Sequence, residues 1–563
     1  MRAGAFTFVL HSHLPYCRNA GHWPHGEEWI HEAASETYIP LLNILYDLVG
    51  ENVPFKLTIS LTPVLVEQLT DPLIRSHLDE FLKDKLNRAR SDTVRFRTTG
   101  DEHRTYLAHL YQDRYQRLID SYRERFGGDI VAAFRRLQDD GYIEIIASAA
   151  THAYLPLLAR DSSIYGQLKA GFDSYRRHFG RDASTVWLPE CGYRPGFYLK
   201  HQGCDYLKPG IEVFLNEIGL KCFFAETHAI EGGQPVGKAT GEVIGPYSSI
   251  PRRYYLPVGE YAPPTLRTTC LPYYVQDTRV AVIGRNNRTG MQVWSADWGY
   301  PGDFNYREFH KKDGVSGLQY WKVTGANVDL GFKEYYEPFH AQQRVAEHSA
   351  HFTTLVEQLL VEFYQQSGRF GIISAAYDTE LFGHWWFEGI DWLRQVLERL
   401  ARSELVELTT ASEFIRQRPP EDVMTLPESS WGTGGGHFTW SNVDTEWIWP
   451  VINAAEVTME ELVKKHVDAR GPVRDILNQA ARELLLLQSS DWPFLITTGQ
   501  AREYATRRFQ EHVERFNELA KAAGSGNLSD AAIAHCRQLR ELDNLFPDIN
   551  YRVFMNRESY LKL

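Results

Sequence analysis

From Ala5 to Leu408, short apolar runs alternate with stretches of helical periodicity, and this alternation restricts the fold more than any other feature of the chain. Ala5–Leu10, Phe55–Leu61, Ile143–Ser148, Thr185–Leu188, Lys221–Ala225, Val280–Ile283, Gln292–Trp294, Phe370–Tyr377 and Leu405–Leu408 read as strands. Between them, Ser35–Leu48 carries Leu41, Leu42, Leu45 and Leu48 at helical spacing, and Ser163–Phe179 and Ile390–Leu400 read as helices. Strands joined through helices pair in parallel. The pattern therefore predicts an α/β protein built on a distorted (β/α) barrel of roughly seven strands.

Three stretches depart from the alternation. Residues 71–137 are charged and helical, with Tyr111, Tyr115, Leu118 and Tyr122 on one stripe. This is longer than a crossover helix needs and reads as a helical insertion between barrel parts 1–70 and 138–420. Residues 227–271 are rich in Gly, Pro and Tyr with little periodicity, the signature of a lid or binding loop. Beyond Arg418-Pro419-Pro420, a Gly- and Trp-rich stretch from Trp431 to Trp449 leads into helices, so residues 421–563 read as an all-helical domain.

Strand exits carry the chemistry in such barrels. His11 and His13 follow the first strand, His152 the third and Asp378 the late apolar strand. In Thr185-Val186-Trp187-Leu188-Pro189-Glu190-Cys191-Gly192-Tyr193, the proline ends the strand and the next residue is a carboxylate. Taken singly, each His reads as a buried imidazole satisfied by backbone, and Glu190 as a helix cap or a partner of Arg194. Four reactive exits from separate parts of the chain point instead to one pocket. Two carboxylates facing a sugar are what glycoside cleavage requires, one as nucleophile and one as acid/base. Glu190 and Asp378 fit those parts.

The composition agrees. Aromatic residues make up 13% of the chain, with 14 Trp and 30 Tyr, and flat apolar rings suit stacking on sugars. The net charge of −12, without a basic run, argues against a nucleic-acid partner. Six scattered cysteines form no CxxC pair and suit reduced thiols. Ala3–Leu10 is too short to span a membrane and runs into His11 without a signal-peptide pattern, so a cytoplasmic location is expected.

On five ordered motifs the chain resembles glycoside hydrolase family 57, and within it the 1,4-α-glucan branching enzymes. These are His11-Ser12-His13-Leu14-Pro15, the Ile145–His152 stretch, Trp187–Tyr193, Ala376–Trp386 and the Trp431–Trp449 segment. The resemblance implies a (β/α)7 barrel with a small inserted domain and a C-terminal helical domain. It implies Glu190 as nucleophile, Asp378 as general acid/base, and His11, His13 and His152 as sugar ligands beside the scissile bond. Trp294, Trp431 and Trp440 would be aromatic platforms, with Trp23 a further sugar contact, and Asp491 a contribution of the helical domain to the cleft. A mobile tyrosine loop goes with such branching enzymes; among Tyr247, Tyr254, Tyr255 and Tyr261, Tyr247 is the preferred tip of the 227–271 cover. The implied donor and acceptor are α-1,4-glucans, with no metal or organic cofactor and a monomeric chain.

Three other readings compete. A barrel metallohydrolase could use His11, His13, His152 and Asp378 as metal ligands, but it leaves Glu190 and the tryptophans without a duty. A family relative could disproportionate or hydrolyse α-glucans without branching them. A non-catalytic glucan-binding protein would need neither carboxylate.

Overall fold

The computed structural model describes residues 2–201, 204–235, 243–245, 248–250, 263–295, 299–525 and 528–557. Its main sheet contains β1 (Gly4–Ser12), β2 (Leu57–Leu61), β3 (Ile143–Ser148), β4 (Thr185–Trp187), β5 (Cys222–Ala225), β6 (Tyr273–Val275), β7 (Ala281–Gly284), β8 (Gly371–Asp378), β9 (Val406–Leu408) and β10 (Val423–Met424). The strand order is β8-β1-β2-β3-β4-β5-β7-β6-β10, with β9 also paired to β1. Every pairing is parallel except β6 with β7. An isolated parallel bridge between Arg285 and Ser374 joins the exit of β7 back to β8. The run from β8 through β1 to β7 thus closes on itself as a seven-stranded barrel.

Side-chain alternation divides the barrel into two apolar compartments. Ala5, Val9, Ile146, Trp187, Cys222, Phe224, Ala281, Ile283, Ile372 and Ala376 belong to one buried cluster. The intervening Phe6, Phe8, Leu10, Ile145, Phe223, Val282, Ile373 and Ala375 belong to the core shared with the helices. Small residues dominate the first set on β1 and β8, as a narrow lumen requires. In register, Ala5 faces Ile372, Val9 faces Ala376 and His11 faces Asp378. The last pair therefore continues the lumen series by one step and tops it with an imidazole and a carboxylate.

The inserted region consists of helices Pro72–Thr98, Glu102–Asp120 and Ile130–Asp139. Its tyrosine stripe is buried. A long irregular segment after Tyr300 packs on it: Tyr320 donates to Asp92 at 2.7 Å, and Arg95 bridges Asp92 and Asp313 at 2.6 Å each. The C-terminal region contains helices Ile448–Lys465, Gly471–Leu487, Asp491–Thr498, Arg502–Gly524 and Asp530–Leu542. Among the described residues, no helix is long and apolar enough to cross a membrane.

Two local expectations change. Gln292–Trp294 is not a strand but the end of helix Asn287–Trp294, whose Asn286 side chain accepts from the Thr289 N–H. The N-cap overrides the β-propensity of three residues. The helix expected from Ser35 begins earlier, at Glu28, and widens to a π-turn over Ala34–Tyr38 before Ile39–Gly50. Pro40 lacks the N–H that would bond the Glu36 carbonyl, which accounts for the interruption. Gly383 approaches that carbonyl so closely that a Cβ would lie 2.0 Å from it.

Candidate active site

The exits of β1, β3, β4 and β8 converge, and the C-terminal helices seal one side of the group. His11 Nε2 lies 3.0 Å from His152 Nε2, so one ring donates and the other accepts. His11 Nδ1 is 3.2 Å from Ser60 Oγ, and its ring stacks on Trp187 at 4.8 Å. The His13 ring lies face to face with His152 at 3.8 Å, with its Nδ1 3.1 Å from Thr62 Oγ1. Its Nε2 pairs with Asp491 Oδ1 at 2.9 Å. Burial opposes charging His13, yet its pKa is raised, because Asp491, Glu190 and Glu380 all favour the imidazolium.

His152 adopts φ 56°, a left-handed conformation costly for a residue with a Cβ. The C-terminal helical region holds it there. Ser490 N–H donates to the His152 carbonyl at 3.2 Å, Ser490 Oγ meets His152 Nδ1 at 2.9 Å, and Ala153 pairs with Ser489. Thr151 Oγ1 also donates to the Leu485 carbonyl.

Glu190 is likewise left-handed, at φ 60°, as is Cys191 at 49°. The strain is of order 1–3 kcal/mol per residue. It is offset by a segment distant in sequence: Tyr193 and Ser429 exchange backbone hydrogen bonds at 2.9 and 3.1 Å, and Trp431 N–H donates to the Glu190 carbonyl at 3.0 Å. Gly192 fits closely under Tyr154, whose ring would lie 2.7 Å from an added Cβ. The Trp431 indole N–H donates to Glu190 Oε2, and Glu190 Oε1 lies 4.0 Å from His152 Nδ1. One carboxylate oxygen is thus anchored, while the side chain keeps 14% exposure toward the cleft.

Asp378 ends β8 opposite His11. Ser12 Oγ donates to Thr379 Oγ1 at 2.8 Å just beyond it. Two residues on, burial pushes the Glu380 carboxyl up to about 7, with Asp378 adding repulsion and the Tyr38 hydroxyl hydrogen bond opposing both. Opposite this group, Arg285 pairs with Glu226 at 2.6 Å and lies 5.6 Å from the Trp431 ring.

The structure thus brings His11, His13, His152, Glu190, Trp431 and Asp491 into one contact network, with Asp378 in register beside it. Trp440 is fully buried and stacks on Tyr154 at 4.0 Å, so it backs the wall rather than presenting a face. Trp294 is half-buried at its helix end, and Trp23 stands 75% exposed on the loop after β1. Tyr247, Tyr254, Tyr255 and Tyr261 lie outside the described residues. Sequence reasoning missed Ser60, Thr62, Ser490 and Arg285. The rule that found the histidines would have found Arg285, which directly follows β7. The donor atoms of His11, His13, His152 and Asp378 do not converge as a metal-ligand group among the described residues.

A closed parallel barrel whose mouth gathers carboxylates, imidazoles and an indole is the architecture of a carbohydrate-active enzyme. Residues 7–427 match the model of glycosyl hydrolase family 57, and the chain belongs to that family. Residues 451–554 match a second model, described as 1,4-alpha-glucan branching enzyme, C-terminal. The chain is 45% identical over 546 residues to a 1,4-alpha-glucan branching enzyme of Thermococcus kodakarensis, covering 96% of this chain and 77% of that protein. The crystal structure of that enzyme with glucose superposes with a TM-score of 0.88, covering 99% and 97% of the two chains at 42% identity. A branching enzyme of this family from Pyrococcus horikoshii gives 0.85 at 42% identity over 99% and 97%. An α-amylase of Thermotoga maritima gives 0.80 at 29% identity over 99% and 100%.

Proposed function

We propose that the chain is a 1,4-α-glucan branching enzyme that cleaves an α-1,4 chain and rejoins it to a 6-hydroxyl. The observation that carries this reading is that the region matching the branching-enzyme C-terminal model places Asp491 and Ser490 directly on His13 and His152, in the network that holds Glu190. Glu190 is the nucleophile: its Trp431-bound oxygen fixes the carboxylate, and the other attacks the anomeric carbon. Asp378 protonates the departing glycosidic oxygen, then removes the proton of the incoming acceptor. His11, His13 and His152 bind hydroxyls of the sugar at the point of cleavage, and Glu380, with its raised carboxyl, sits behind Asp378 as a proton neighbour.

Transfer competes with hydrolysis, so the glycosyl-enzyme has to meet a glucan hydroxyl before water. Trp23 and Trp294 are sugar contacts in this reading, Trp431 and Trp440 shape the wall, and the 227–271 segment with Tyr247 is the cover. The domain division stated above, a monomeric state and a cytoplasmic location belong to the same proposal, with amylose, amylopectin or glycogen as donor and acceptor. Incubation with amylose without added metal tests it: loss of iodine colour, a growing α-1,6 anomeric proton signal and few new reducing ends are expected. Colour loss with abundant reducing ends and no 1,6 signal would assign hydrolysis, the activity for which the Thermotoga relative is named.

A further inference from the structure

A second set of histidines gathers outside the cleft, around the buried carboxylate of Glu27. His77 Nδ1, from helix Pro72–Thr98, lies 2.5 Å from Glu27 Oε2, and His22 Nδ1 lies 3.6 Å from the same oxygen. One donor atom from each of the three residues lies within 4.8 Å of the other two. His31 Nε2, on a buried ring, stands 3.9 Å from that oxygen.

The backbone supports this arrangement independently. Glu27 N–H and Glu28 N–H donate back to the carbonyls of Gly21 and His22 at 3.0 and 3.2 Å. At Gly26, φ is 133° and a Cβ would lie 2.1 Å from the Gly21 oxygen, so the loop is pinched shut at a position only glycine fills. Asn19 N–H binds the other Glu27 oxygen at 3.0 Å. The result is a short closed loop that aims one imidazole and one carboxylate at a second imidazole on a different element.

We propose that His22, Glu27 and His77 form a binding site for one zinc-class divalent cation. Two imidazoles and a carboxylate are a borderline-metal donor set, and three protein ligands leave a fourth tetrahedral position to water. Tetrahedral zinc with bonds of about 2.0–2.1 Å separates neighbouring donors by about 3.3 Å. The His22–Glu27 spacing is close to that value; His77 draws back from its direct hydrogen bond when the metal enters. No covalent or redox step is involved: the cation displaces the proton between His77 and Glu27, which passes to solvent.

The loop that the site pins follows β1 and carries Trp23, between His22 and the helix start at Glu28. Occupancy ties that loop to helix Pro72–Thr98 and limits the motion of the exposed indole. The test uses the full-length protein after chelator dialysis, titrated calorimetrically with zinc and by visible absorption with cobalt. His22→Ala and His77→Ala are the variants; His22 is 75% exposed and its loss does not threaten folding. The expected result is uptake of one equivalent, a tetrahedral cobalt spectrum, slower amide exchange across residues 17–27 when loaded, and affinity about tenfold or more weaker in each variant. No stoichiometric uptake by the wild type, or equal affinity in wild type and His22→Ala, would overturn the site. Because metal uptake is read without glucan, its failure is distinct from failure of the branching reading.

Discussion

Two His–carboxylate pairs of nearly equal length sit in different parts of the molecule and behave in opposite ways. In the helical region, His512 Nδ1 lies 2.8 Å from Glu483 Oε2, with both side chains fully buried. At the barrel mouth, His13 Nε2 lies 2.9 Å from Asp491 Oδ1, with 11% of each exposed. Burial lowers the His512 pKa well below its ordinary value, and Arg508 and Arg515 lower it further. Arg508 donates to His512 Nε2 at 3.0 Å, so the ring proton sits on Nδ1 and is donated to Glu483. Burial likewise raises Glu483, with Asp543 adding repulsion. At the mouth, carboxylates face the histidine without such guanidinium neighbours among its main influences, and its pKa rises. Neighbouring charge, not the pair itself, decides whether an imidazole is an inert strut or a charged group in a cleft.

The comparison breaks first at Glu190. Glu190→Gln keeps the volume and the Trp431 hydrogen bond but removes the nucleophile, so branching should fall by about 10⁴-fold with an unchanged unfolding transition. A residual rate near wild type would move the chemistry elsewhere. In the helical region the effect should be the reverse. Arg515 pairs with Asp543 at 2.8 Å, and Asp543 is almost wholly buried. Arg515→Ala leaves that carboxylate without its guanidinium partner and should cost about 3–5 kcal/mol of stability in denaturant titration. The specific activity of the folded fraction should stay unchanged.

Asp491→Asn sharpens the contrast with a smaller effect. It should lower kcat by about 10–100-fold and move the His13-dependent limb of the pH profile to lower pH. The sign follows from the raised pKa: the stabilisation from charging His13 is complete below about 6.5 and is lost as pH rises through the folded value. The variant should lose that pH-dependent increment of stability. Smallest is Trp440→Phe, which keeps a ring against Tyr154 and should cost about 1 kcal/mol with little change in kcat. A large loss of kcat there would give Trp440 a direct role in the cleft.

The strand exits were readable because lumen-facing strands are short apolar runs that stop abruptly, at Pro189 or at a histidine, and the barrel follows from their alternation with helices. What escaped depends on partners remote in sequence. The left-handed turns at His152 and Glu190 exist because Ser489–Ser490 and Ser429–Trp431 hold them, and no local pattern announces such clamps. Gln292–Trp294 looked like a strand because three residues carry too little periodicity to outweigh propensity, whereas the Asn286 cap settles it as helix. The irregular segment after Tyr300 has no period at all; its place is fixed by side-chain bonds to the inserted hairpin. The family resemblance implies a platform role for Trp431, but it does not show that the indole proton is committed to the carboxylate it neighbours.

The central claim is that Glu190 and Asp378 carry a double displacement, and azide rescue with an α-maltosyl fluoride donor tests it most directly. With Glu190→Ala, azide enters the space left by the carboxylate and attacks from the face Glu190 would use, so the account predicts a β-configured maltosyl azide. With Asp378→Ala the glycosyl-enzyme still forms, and azide attack on it should give the α-configured product. An α-azide from Glu190→Ala, or no rescue by either variant while both fold normally, would contradict the account.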